Sequence, residues 1–100
     1  MPVVSEDGEI ACLVRISGRL QGVWYRGWTC DEAVQRGLTG WVRNRGDSSV
    51  EALFAGPAGP VEEMINACRQ GPPAAEVLKV EIEKADMPEQ RRFELRPSAQ

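Results

Sequence analysis

The residues best suited to chemistry lie between positions 18 and 26, where an alternating apolar segment gives way to a helical one. Gly18 and Gly22 allow consecutive backbone N–H groups of this loop to point inward and bind an anion. A helix that begins near residue 25 would add its free N–H groups and the positive end of its dipole. Arg26 lies at that start, where its guanidinium can bind the same anion from the side. The loop is therefore a candidate phosphate site, although its spacing alone also fits a plain strand-to-helix connection with a solvated arginine.

The composition excludes several other kinds of site. The chain has no histidine, which removes Ser–His triads, histidine metal ligands and histidine general bases. Its three cysteines, Cys12, Cys30 and Cys68, form no Cys-x-x-Cys pair, so neither a zinc site nor a disulfide framework is predicted. No G-x-x-x-x-G-K-S/T sequence is present, so the loop is not a nucleotide P-loop.

The charge and the length restrict the partners and the domain count. Twelve Lys and Arg stand against fifteen Asp and Glu, a net charge of −3, whereas nucleic-acid-binding proteins usually carry a basic surplus. The first residues lack the pattern of a secretion signal, and no apolar run reaches the roughly 18 residues of a membrane span. We therefore expect a cytoplasmic monomer without nucleic-acid or membrane partners. Its 100 residues are expected to form one domain at 9–96 between tails at 1–8 and 97–100.

Five segments are predicted to be strands, because apolar residues alternate with others or are bounded by turn residues. They cover Ile10 to Ile16, residues 40–45, Val50 to Phe54, Leu78 to Ile82, and Phe93 to Leu95. In the fourth strand the apolar residues are expected to face the core and the charged residues the water: Leu78, Val80 and Ile82 inward, Lys79, Glu81 and Glu83 outward.

Two helices complete the pattern. The first is expected from about residue 25 to the stop signal at Gly37, and the second carries apolar residues at helical spacing from Val61 to Cys68. The order βαββαβ with a short last strand predicts an α+β fold of ferredoxin-like layout, with two helices on one face of an antiparallel sheet. In that layout the first two strands are parallel with a third inserted between them. Their C-terminal ends then open at the same edge of the sheet, about 10 Å apart.

Two blocks of the sequence resemble the acylphosphatase family. The first, Gly18-Arg19-Leu20-Gln21-Gly22-Val23-Trp24-Tyr25-Arg26, is similar to the signature G-R-V-Q-G-V-x-F/Y-R. The second, residues 37–44, resembles G-L-x-G-W-V-x-N, and the resemblance as a whole covers roughly residues 9–96. It implies metal-independent hydrolysis of the carboxyl–phosphate bond of acyl phosphates to a carboxylate and inorganic phosphate, without a cofactor.

The resemblance also implies roles for individual residues. Arg26 matches the phosphate-binding catalytic arginine of the family, and Asn44 matches its water-positioning asparagine. Backbone N–H groups of the loop would bind the phosphoryl oxygens, the loop residues being Arg19, Leu20, Gln21, Gly22, Val23, Trp24, Tyr25 and Arg26. The partners would be a small-molecule acyl phosphate and inorganic phosphate as product inhibitor. The alternative is a non-catalytic module that binds phosphate or carbamoyl phosphate.

The sequence departs from the family pattern next to Asn44. The hairpin of the family reads N-x-x-D-G-S/T-V, whereas this chain has Asn44-Arg45-Gly46-Asp47-Ser48-Ser49-Val50. The glycine lies two positions earlier, which leaves the type of turn and the fine placement of Asn44 open. Leu95 and Pro97 also differ from the usual ending and are expected to loosen the last strand.

Overall fold

The computed structural model of the chain describes residues 8–20 and 22–98. Of the expected tails, residues 1–7 and 99–100 lie outside the described residues, and so does Gln21 of the predicted phosphate loop. The elements follow the predicted order: β1 (Glu9–Arg19), α1 (Tyr25–Gln35), β2 (Thr39–Asn44), β3 (Val50–Pro57), α2 (Ala58–Gln70), β4 (Glu76–Lys84) and β5 (Phe93–Leu95).

Strand β3 lies at the centre of one five-stranded sheet of order β4-β1-β3-β2-β5. Both β1 and β2 pair with it antiparallel, so they are parallel to each other, as predicted. β5 forms despite Pro97 and pairs with β2 parallel, which makes the sheet mixed and the expectation of an antiparallel sheet wrong at this edge. The direction of β5 is set by residues 85–92, which connect the two edges of the sheet, and the alternation of a short strand carries no information on its direction.

The main core lies between the sheet and the two helices. Alternate residues of β1 and β3 are buried there together with the apolar face of α2: Ile10, Cys12, Val14, Ile16, Val50, Ala52, Phe54, Val61, Met64, Ile65 and Cys68. A small second cluster of Ala11, Leu53 and Ala55 occupies the opposite face and contains no helix residue. Both helices therefore pack on one face of the sheet, as the sequence predicts. With 11 and 13 residues, neither approaches the roughly 20 that cross a bilayer.

The core-facing pattern predicted for β4 is wrong at Leu78, whose side chain is 74% exposed. The pairing of β4 with β1 shifts between Ser17 and Gly18, where Leu78 is an extra residue in the register. This bulge makes Val77 and Val80 the residues that pack against the core. Gly18 permits it, because a Cβ at residue 18 would overlap the backbone of β4. Ile82, on the edge strand, is 42% exposed, so it too is not the core residue that was expected.

The hairpin between β2 and β3 keeps its turn although its glycine has moved. The N–H of Arg45 donates to the carbonyl of Ser49 at 2.8 Å, and the N–H of Ser48 donates to the carbonyl of Arg45 at 3.1 Å. Ser48 adopts a positive φ of 71°, and it occupies the position at which the family's hairpin pattern has glycine. Asn44 remains in register opposite Val50, so the departure leaves it at the end of β2.

The side chain of Asp47 also stabilises the turn. Its carboxylate accepts hydrogen bonds from the hydroxyl of Ser49 at 2.6 Å and from the backbone N–H of Ser49 at 3.1 Å. These bonds lower the pKa of Asp47. The carboxylate is therefore charged at neutral pH, and its contribution to the turn is lost as the pH falls through that lowered pKa.

We expect the substitution Ser48→Gly to stabilise the protein by about 0.5–1 kcal/mol. A left-handed residue with a Cβ costs about 1–2 kcal/mol, and the extra entropy of glycine in the unfolded chain offsets part of the gain. The matched control is Ser49→Gly, which loses the hydroxyl bond to Asp47 without relieving a positive φ and should destabilise by about 1 kcal/mol. Urea unfolding of the three proteins measures both effects, and destabilisation by Ser48→Gly would contradict the assigned turn.

Candidate active site

A cavity of about 300 Å³ lies where the loop after β1 meets the end of β2. Its lining comes from both sequence blocks and from the hairpin: Leu20, Gly22, Trp24, Tyr25, Arg26, Asn44, Ser48 and Val50. Of the predicted loop residues, Arg19 is exposed and Val23 packs against the core, and neither lines the cavity. Ser48 and Val50 were not predicted as lining residues, although their position just after Asn44 in the hairpin block is a signal that could have found them.

The start of α1 is arranged to receive an anion. Trp24 precedes the helix in a left-handed conformation (φ 55°, ψ 42°), and Tyr25 begins the right-handed helix directly after it. Such a pair of conformations turns neighbouring N–H groups toward the same side. Trp24 gives the helix no side-chain cap, and the first turn has no acidic residue. The first N–H groups and the positive end of the helix dipole therefore have no competing anionic side chain in that turn.

Tyr25 fixes the start of this helix in the core. Its side chain is 2% exposed, and its hydroxyl donates to the carbonyl of Cys68 near the end of α2 at 2.7 Å. Burial, and after it the neighbouring Cys68 side chain, raise the pKa of the phenol, so it stays protonated and donating. The neighbouring Arg26 is thus carried by a helical turn that is anchored to the second helix.

The guanidinium of Arg26 is held at two of its sides. One terminal nitrogen donates to the carbonyl of Arg96 at 2.8 Å, and its central carbon lies 5.4 Å from the centroid of the Trp24 ring. The Nε atom is buried and has no hydrogen-bond partner within the part of the chain that the structure describes. A buried unpaired donor costs about 1–3 kcal/mol or more when charged. An anion in the cavity would supply the missing acceptor.

The Arg96 carbonyl that receives Arg26 is itself fixed in place. The N–H of Arg96 donates to the carbonyl of Val42 at 2.8 Å, which continues the β5–β2 pairing by one residue. Its guanidinium stacks on Trp41 at 4.9 Å and pairs with Glu94 at 3.6 Å. The segment after β5 therefore positions Arg26 through a main-chain group, which the sequence pattern of side chains could not reveal.

Asn44 is the last residue of β2 and points to the cavity because its neighbours are held on the opposite face of the sheet. Arg43 and Arg45 both bind the carboxylate of Glu51, at 2.6 Å and 3.2 Å. Arg15 completes this cluster at 4.0 Å, and Glu51 is only 6% exposed. Since successive side chains of a strand alternate between faces, anchoring both neighbours directs Asn44 to the helix side. None of the described residues is hydrogen-bonded to its amide, which leaves the amide available to a water molecule.

Comparison with known proteins identifies the family of this chain. The family model described as Acylphosphatase matches residues 12–95. An acylphosphatase of Rhodospirillum rubrum is 56% identical over 86 residues, which make up 86% of this chain and 94% of the relative.

Solved structures with the same fold carry the same description. An acylphosphatase from Coxiella burnetii superposes with a TM-score of 0.87 at 31% identity, over 91% of this chain and 96% of that one. An acylphosphatase from Bacillus subtilis gives a TM-score of 0.81 at 31% identity, over 85% of this chain and 96% of that one. The family model spans both motif blocks and the relatives cover most of the chain, so the chain belongs to the acylphosphatase family.

Proposed function

We propose that this cavity hydrolyses the carboxyl–phosphate bond of acyl phosphates, with Arg26 and the loop binding the phosphoryl group and Asn44 positioning the attacking water. The observation that carries the proposal is that Arg26 and Asn44, which match separate family blocks, line one cavity. Family membership supports the reaction, a hydrolysis of an acid anhydride, and acyl phosphates as the class of substrate.

Charge stabilisation is the main task of the phosphoryl site. Phosphoryl transfer spreads negative charge over the three equatorial oxygens, so catalysis depends on positioning and on donors that already point at them. Arg26 offers its guanidinium, whose Nε has no hydrogen-bond partner among the described residues, and the start of α1 offers backbone N–H groups. A carboxylate of low pKa leaves without an acid, which is consistent with a chain that has no histidine.

The water needs orientation more than activation. The Asn44 amide can hold a water in line with the phosphorus, but an amide is a poor base. The new bond joins the water oxygen to phosphorus while the bond to the acyl oxygen breaks, and the carboxylate leaves with the electron pair. The proton of the water passes to a phosphoryl oxygen of the substrate itself. This route uses no metal and no further side chain.

The same geometry supports four further features of the proposal. Inorganic phosphate has the shape and charge of the transferred group, so it would compete for the cavity as a product inhibitor. Arg26 and Asn44 of the same chain line the cavity, so the proposed reaction needs no residue of a second copy and the protein can act as a monomer. Cys12, Cys30 and Cys68 are free thiols, the state that a reducing cytoplasm maintains. The acting unit is residues 9–96, which contain the cavity and the whole sheet.

Arg26→Ala should lower kcat/KM for benzoyl phosphate by about 10³-fold or more and abolish inhibition by inorganic phosphate, because it removes the charged donor to the equatorial oxygens. Arg69→Ala is the matched control, since Arg69 is an exposed arginine near the end of α2 and outside the cavity. Steady-state hydrolysis with a chelator present, together with thermal unfolding, measures the effect. Turnover at the wild-type rate by a folded Arg26→Ala variant would contradict the role proposed for Arg26. Absence of turnover in the wild type would favour the non-catalytic binding module.

Asn44→Ala should lower kcat by about 10²- to 10³-fold, the usual cost of losing one group that acts in the transition state. The inhibition constant of inorganic phosphate should change by less than about twofold, because the amide holds the water and not the phosphoryl group. The decisive observation is a lowered kcat together with an unchanged inhibition constant of inorganic phosphate. A variant with normal kcat and weakened phosphate binding would instead make Asn44 a phosphate ligand.

A further inference from the structure

We propose that Trp24 gives this site a preference for acyl phosphates whose acyl group is aromatic or extended and apolar. The inference rests on the proposed function and concerns the acyl group, the part of the substrate that the phosphoryl-binding residues do not contact. Trp24 lines the cavity together with Arg26 and Asn44, yet its side chain is 61% exposed. It therefore offers a wide apolar surface beside the reacting group.

The backbone of Trp24 is held in an unusual conformation. A φ of 55° places it in the left-handed region, which is an outlier for a bulky aromatic residue. Such strain persists only where the surroundings fix it, and it concentrates at functional sites. In the matched signature this position accepts any residue, so the tryptophan is a property of this chain and not of the family pattern.

The indole ring is also held from two directions. It lies against Gly27, where any Cβ would overlap the indole nitrogen. The guanidinium of Arg26 lies 5.4 Å from the ring centroid. The ring is thus a rigid wall at the mouth of the cavity, and a rigid aromatic side chain binds an apolar group at low entropic cost.

The direction of the reaction brings the acyl group to this wall. β1 and β2 lie on opposite sides of β3, so the loop and Asn44 approach the cavity from opposite sides. In-line attack by a water on Asn44 makes the carboxylate leave away from Asn44, which is toward the loop. Trp24 is the exposed large apolar side chain among the described residues of that loop.

The remaining lining residues favour an apolar acyl group over a charged one. Leu20 and Val50 are 4% and 2% exposed, so they close the floor of the cavity and present little surface. Arg26 is the one cation among the lining residues that the structure describes, and in the proposed function it pairs with the phosphoryl group. An acyl group with its own carboxylate would find no second cation in the described lining, whereas an aryl ring can stack on Trp24.

The test compares two substrates that share the phosphoryl group, benzoyl phosphate and acetyl phosphate. Trp24→Gly removes the ring and accepts the positive φ without strain, and Trp24→Phe keeps an aromatic wall. Because the ring also contacts the guanidinium of Arg26, we expect Trp24→Gly to lower kcat/KM for both substrates. The readout is therefore the ratio of kcat/KM for benzoyl phosphate to that for acetyl phosphate, which should fall by about three- to tenfold, the usual worth of an aromatic contact. Trp24→Phe should retain most of the preference.

Two results would overturn the inference. If the ratio of kcat/KM for benzoyl phosphate to that for acetyl phosphate is the same in Trp24→Gly as in the wild type, the ring does not contact the acyl group. An equal loss for both substrates with weakened phosphate inhibition would show that Trp24 only holds Arg26.

Binding of benzylphosphonate and methylphosphonate, followed by calorimetry, separates this inference from the proposed function because it needs no turnover. Tighter binding of benzylphosphonate to the wild type, lost in Trp24→Gly, supports the aromatic subsite even if hydrolysis fails. Equal binding of the two phosphonates to the wild type would overturn the inference even if hydrolysis is observed.

Discussion

The site depends on the insertion of β3 between β1 and β2. That arrangement makes β1 and β2 parallel, so their C-terminal ends open at one edge, and the loop and Asn44 meet there although they are distant in sequence. Burial fixes the register, because a slip by one residue would turn the charged Glu51 of β3 toward the apolar core. The same register sends Arg43 and Arg45 to Glu51 and Asn44 to the cavity. The strand order and the packing of the core therefore also determine the direction in which the Asn44 amide points.

Preorganisation of Arg26 follows from contacts that three parts of the chain make around it. Tyr25 anchors the helix start to Cys68, Trp24 covers the guanidinium, and the segment after β5 supplies a carbonyl. Donors fixed before the substrate arrives need little reorganisation when charge develops on the phosphoryl oxygens. The cost of this arrangement is a buried Nε that has no hydrogen-bond partner among the described residues, and under our proposal the bound phosphoryl group would offset that cost.

Much of the fold could be predicted because each strand buries one face: the alternation of Ile10 to Ile16 and of Val50 to Phe54 is reproduced as core. The prediction from alternation was wrong at Leu78, which lies in a bulge opposite Gly18, and at Ile82, which lies on an edge strand. Both features depend on how strands pair and not on the sequence of one strand. The parallel direction of β5 and the Arg96 carbonyl depend on the path of the main chain, which side-chain patterns do not encode. The hairpin turn forms without its glycine because Ser48 itself adopts the positive φ, while main-chain bonds and the Asp47 carboxylate hold the turn.

The most direct test of the central claim is the fate of the water oxygen during hydrolysis of benzoyl phosphate in oxygen-18 water. If Arg26 and the loop hold the phosphoryl group while Asn44 delivers the water, attack occurs at phosphorus. Mass spectrometry should then find the label in inorganic phosphate and none in benzoate. Label in benzoate would mean attack at the carbonyl carbon and would contradict the roles given to both residues.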